Sequence, residues 1–118
     1  MEWKFTDEIP IYQQIMYLLK QEIASGELEA GQKLPSVREL ALEAGVNPNT
    51  MQKALAELER EGLLYSQRTA GRFVADHQEI RDGLQEELMM EYVEGFLEKM
   101  KKLGYSIDEI IVLLQKFK

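Results

Sequence analysis

Two helix-start signals stand on either side of a single glycine in "PSVRELALEAGVNPNTMQKALAELEREG", residues 35–62. "SVRE" at 36–39 is a capping box: Ser36 can accept from the backbone N–H of residue 39, and Glu39 can reach back to that of residue 36. It opens a short helix that should end near Ala44, before Gly45. Asn47 then offers an N-cap, and Pro48 follows at the helical position where a missing N–H costs nothing. Met51, Ala54, Leu55 and Leu58 form the apolar stripe of this next helix, and Gly62 ends it. Ala41, four positions before Gly45, is small enough for a close helix crossing, and Gly45 suits a sharp turn. Leu40, Ala44, Val46, Met51 and Leu55 fall where such a unit must be apolar. The stretch reads as a helix-turn-helix. In that geometry the first turns of the second helix face outward, and they carry Asn49, Thr50, Gln52 and Lys53. Amide side chains can pair with adenine edges, and lysine can contact guanine or phosphate. Taken alone, Asn-Pro-Asn-Thr is equally good chemistry for a solvated helix start.

The flanking sequence extends the pattern. Ile11, Ile15, Leu18, Leu19 and Ile23 recur at helical spacing after Pro10, and Ser25-Gly26 stops that run. "ELEAGQKLP" reads as a loop. "LLYSQ" (63–67) and "RFVA" (72–75) read as two short strands around "RTAG", with Gly71 near the turn. A β-hairpin straight after the second helix is what a winged helix needs, and it favours the DNA-facing reading. From Asp76 a long helix runs to about Leu103, and Gly104 breaks it. A further capping box, "SIDE" at 106–109, starts a last helix. The expected fold is mainly α with a small β-wing: a winged helix-turn-helix domain over 1–75 and a two-helix hairpin over 76–118.

Composition sets limits on function. The chain has no cysteine, so a disulfide framework and a thiolate metal site are excluded, which fits a reducing cytoplasm. His77 stands alone without metal-ligand spacing, and no cofactor is expected. No signal peptide and no membrane span are expected, because no apolar run approaches roughly 18 residues. No nucleophile–base set or phosphate loop is visible, which argues against an enzyme. The net charge of −7 opposes nucleic-acid binding, and neither half is basic: residues 1–75 hold 8 basic and 11 acidic groups, residues 76–118 hold 6 and 10. DNA binding therefore requires the few cations to gather on one face. Glu57, Glu59 and Glu61 crowd the far end of the second helix, which fits entry into a groove by its N-terminus.

"KLPSVRELALEAGVNPNTMQKALAELEREGLLYSQRTAGRFV", with "PIYQQIMYLLKQEIASGELEAGQ" before it, resembles the DNA-binding domain of the GntR family of bacterial transcription factors. "VNPNTMQKAL" followed by a tail of about 43 residues is similar to the YtrA-type subgroup, whose members carry a short two-helix C-terminal module. The resemblance is strong over 10–75 and weaker over the tail. It implies that Arg38 contacts phosphate or the major groove, that Asn49 and Thr50 are recognition-helix contacts, and that Gly71 lies in a wing approaching the minor groove. Lys53 faces the same side as Asn49, and Arg68 and Arg72 bracket the wing; with Asn47 and Gln52 these complete the expected DNA-binding set. The chain departs from the family in two places. Pro48 and Gln52 stand where many relatives have arginines, and Thr69 replaces the first glycine of a Gly-x-Gly-x-Phe wing motif.

The tail has its own signature. Leu88, Met89, Tyr92, Val93, Phe96, Leu97 and Met100 on the long helix, with Ile107, Ile110, Ile111 and Leu114 on the last, carry more apolar surface than two helices can bury together. A two-fold bundle is the natural outlet, so these residues are the expected dimerisation set. The resulting expectation is a cytoplasmic homodimer that binds a palindromic double-stranded DNA operator and represses transcription. The resemblance adds that such proteins often control a neighbouring transporter operon. Two other readings stay open: a small-molecule effector held in a cleft between tail and winged helix, and a winged helix used as a protein-interaction module.

Overall fold

The computed structural model describes residues 1–118. Five helices and one hairpin follow in order: α1 (Ile11–Ser25), α2 (Val37–Ala44), α3 (Pro48–Arg60), β1 (Leu64–Gln67), β2 (Gly71–Val74), α4 (Gln78–Lys102) and α5 (Ile107–Gln115). The chain divides into two compact units, Met1–Gln85 and Glu86–Lys118. The expected division at residue 75 falls ten residues earlier. The start of α4 belongs with the first unit because Arg81 donates to the Ile23 carbonyl at 3.4 Å and Gln85 to the Ala24 carbonyl at 2.8 Å.

In the first unit, α3 is the central element and packs against α1, α2 and β1. Its expected stripe of Met51, Ala54, Leu55 and Leu58 is buried in full, against a core that includes Ile15, Leu19 and Ile23 of α1 and Leu40 and Ala41 of α2. Burying each large side chain of this kind contributes about 1.5–3 kcal/mol, which holds a 13-residue helix that would be marginal in isolation. Gly45, at φ 71°, makes the sharp turn between α2 and α3, and the Val46 amide closes it on the Ala41 carbonyl.

The wing is antiparallel, with Leu64 opposite Val74 and Tyr65 opposite Phe73, whose rings stack at 5.5 Å between centroids. Part of the loop after α1 joins it. Leu34 donates to the Arg72 carbonyl, Val74 to Gln32, and Gly31 to Val74, so residues 31–34 run beside β2 and cover its outer edge. Before α1, the buried Gln14 side chain receives the Thr6 amide and donates to the Thr6 and Ile9 carbonyls, fastening the N-terminal segment.

The second unit contains the rest of α4 and all of α5. Ser106 and Glu109 form the expected capping box, and the Glu109 carboxyl is held below the ordinary range by the Ser106 amide first and its hydroxyl next. Leu88 and Ile110 are buried, and Leu97 and Met100 are half-buried. Met89, Tyr92, Val93, Phe96, Ile107, Ile111 and Leu114 are exposed in the single chain.

Candidate nucleic-acid interface

The residues named from sequence fall into three groups by what their side chains do. Asn47 caps α3: its Oδ1 accepts from the Asn49 amide at 2.7 Å, which commits that oxygen to the helix start. Asn49 and Lys53, one turn apart, lie on the face of α3 opposite the buried stripe, and both are exposed. Thr50 is half-buried on one flank, and Arg38 stands exposed on α2.

Gln52 and Glu59 share the other flank, two turns apart, and both are engaged by the wing. Arg72 Nε donates to Glu59 Oε1 at 3.2 Å, and Arg72 Nη1 donates to Gln52 Oε1 at 3.2 Å. The Ser66 hydroxyl donates to the same Glu59 oxygen. The Ser66 bond, aided by Arg72, holds the Glu59 carboxyl below the ordinary carboxylate range, although burial pushes it up. Arg72 was expected to lend charge beside a groove. Its side chain is instead only 17% exposed and ties the wing to α3.

The acidic end of α3 is neutralised in the same way. Glu57 pairs with Arg60, Glu59 with Arg72, and Glu61 with Lys20 at 2.9 Å. Those pairs leave Arg38 and Arg68 as exposed cations without a carboxylate partner, and Lys53 Nζ sits 4.0 Å from the centroid of the Tyr12 ring. The tip of the wing takes its shape from two residues in the left-handed region, Thr69 at φ 68° and Gly71 at φ 108°. Thr69 thus adopts the conformation that glycine would take most easily in a Gly-x-Gly wing.

Two contributors were not identified from the sequence. Lys33 pairs with Phe73 through the backbone, and a Cβ on Gly71 would lie 3.2 Å from Lys33 Cε, so this exposed lysine sits under the wing tip. Tyr12 is the platform for Lys53. Neither lies near its partner in sequence, so no local pattern could have revealed them. A groove between the wing and the start of α2 is lined by Lys33, Ser36, Gln67, Thr69, Gly71 and Arg72, among others, and combines hydroxyl, amide and cationic groups.

A family model described as "Bacterial regulatory proteins, gntR family" matches residues 11–74, which covers α1 to β2. The HTH-type transcriptional regulator YhcF of Bacillus subtilis is 40% identical over 117 residues, covering 99% of this chain and 97% of that protein. The HTH-type transcriptional repressor YtrA of the same organism is 46% identical over 68 residues, covering 58% of this chain and 52% of that one. A solved GntR family transcriptional regulator from Listeria monocytogenes superimposes with a TM-score of 0.86 at 39% identity, covering 95% of this chain and 98% of that one. The helix-turn-helix, its wing and these relatives agree: the chain belongs to the gntR family of bacterial regulatory proteins, in its YtrA-type subgroup, and is a DNA-binding transcriptional regulator, not an enzyme.

Proposed function

We propose that the chain is a cytoplasmic repressor that binds a palindromic operator as a homodimer and controls a transporter operon that includes its own gene. Asn49 and Lys53 on the outward face of α3 enter the major groove, with Arg38 on a phosphate and Arg68 and Lys33 at the wing beside it. The observation that carries the reading is the pairing of Glu57, Glu59 and Glu61 with internal cations. It removes the acidic obstacle at the end of the helix while leaving Arg38 and Arg68 free. Repression then follows from operator occupancy that excludes polymerase and needs no chemistry from the protein.

Dimerisation is supported by the exposed apolar side chains of the second unit, among them Met89, Tyr92, Val93, Phe96 and Ile111. A pair of hairpins would bury them and bring two winged helices to the two half-sites of one operator. A gel-shift with the DNA upstream of the chain's own gene tests the reading. A retarded band that survives nonspecific competitor and weakens as salt rises is expected. Absence of a specific band, or a monomer in sedimentation at micromolar concentration, overturns it.

A further inference from the structure

Gln52 is the exposed amide whose orientation a second side chain dictates. A guanidinium carries only donors, so the atom of Gln52 that meets Arg72 Nη1 has to be the oxygen. Arg72 cannot swing away freely, because its Nε is bonded to Glu59 and Glu59 is itself bonded to Ser66. The chain Ser66–Glu59–Arg72–Gln52 therefore starts in β1, crosses to α3, returns to β2 and ends on the amide. With the oxygen turned to the wing, the end of Gln52 left for an outside partner is its amino group.

That polarity changes what the residue can read. A free glutamine recognises adenine by presenting oxygen and nitrogen together, accepting from N6 and donating to N7. Here that oxygen is turned toward the wing and already accepts from a guanidinium, so N6 could reach only its second lone pair, on the side away from the amino group. Presented nitrogen-first, the amide meets adenine's N6 amino group as donor against donor. Guanine sets two acceptors, N7 and O6, side by side in the major groove and suits an amino group with two protons. We propose that Arg72 is a positioning residue that presents Gln52 nitrogen-first to the major groove, making it a donor-only reader that selects guanine over adenine. The inference rests on the reading of α3 as the helix that enters DNA.

The test is selection of binding duplexes from a randomised pool by the full chain, followed by titration of single-base variants of the recovered duplex. The base pair read by Gln52 is the one at which Gln52→Ala loses discrimination. Guanine is expected there, with adenine or 7-deazaguanine weakening binding on the order of tenfold. Gln52→Glu keeps an oxygen toward Arg72 but turns the outer end into an acceptor, so it should lose the guanine preference while folding normally. Arg72→Lys keeps the charge but not both bonds; adenine should become tolerated at that pair alone, with the salt slope unchanged. Adenine preferred by the wild type, or an unaltered preference in Gln52→Glu, overturns the proposal. So does an Arg72→Lys variant that loses affinity equally for every sequence. A pool that yields no enriched duplex overturns the operator-binding reading itself, and this inference falls with it.

Discussion

Arg72 Nε lies 3.2 Å from Glu59 Oε1, joining residues 13 apart in sequence across the end of α3 and the whole of β1. This pair couples the wing to the helix beside it, and its electrostatics are measurable. Because the Glu59 carboxyl is held below the ordinary carboxylate range, the folded chain binds fewer protons there than the unfolded chain. Its stabilisation is complete above the ordinary carboxylate range and is lost as pH falls through the depressed folded value. Because solvent screens a carboxylate this exposed, Glu59→Gln should cost no more than about 0.5–1 kcal/mol near neutrality, and it should flatten the acid limb of the stability profile. Urea denaturation from pH 7 to pH 3 reads both effects; parallel profiles for the two proteins would refute them.

Thr69 occupies the left-handed region at φ 68°, where a side chain with a β-branch is strained. Thr69→Gly relieves that strain but adds freedom to the unfolded chain. The net expectation is a gain of about 0.5–1 kcal/mol. A rise in the urea midpoint at constant slope is the readout, and a fall would show that Thr69 makes a compensating contribution.

Asn47 and Arg38 separate folding from binding. Asn47→Ala removes the oxygen that caps the Asn49 amide and should lower stability by about 1 kcal/mol. Arg38→Ala touches no internal partner, so thermal stability should stay level. Its DNA affinity should drop for all sequences alike, with the salt slope smaller by about one. Calorimetry and salt-dependent titration of both variants distinguish the two roles.

Lys53 and Tyr12 should be coupled, since the ammonium sits over the ring at 4.0 Å. A double-mutant cycle with Lys53→Met and Tyr12→Leu is expected to give an interaction energy of about 0.5–1 kcal/mol. Additive effects on stability would mean that the contact is not maintained in solution.

Phe96 is exposed in the single chain on a helix with several other exposed apolar residues. Phe96→Glu should shift sedimentation toward monomer and lower operator affinity, with helical content unchanged by circular dichroism. A variant that stays dimeric would move the interface away from this helix face.

The elements that could be read from sequence are those with signals spanning three or four residues. Ser36 with Glu39 and Ser106 with Glu109 form reciprocal caps as expected, and Asn47 caps α3 before Pro48. The stripe of Met51, Ala54, Leu55 and Leu58 is buried because helical spacing alone puts those side chains on one side. The strands differ from expectation by one residue at their ends. The loop after α1 was legible only as a loop: its bonds to β2 join residues some 40 positions apart, and nothing local announces them.

The order of elements, their caps, the buried face of α3 and the family were determined by the amino-acid sequence itself, because dihedral preference and apolar periodicity act over single turns. Which outward residues remain free was decided only by tertiary structure. Arg72 and Arg68 look alike in sequence, yet one is half-buried and bonded to Glu59 and Gln52 while the other is exposed. Glu57, Glu59 and Glu61 read in sequence only as acidic groups crowding the far end of the helix, and the fold shows that Arg60, Arg72 and Lys20 pair with them. A charge or an amide acquires its role from whatever stands within about 4 Å, and the fold brings those neighbours from distant parts of the chain.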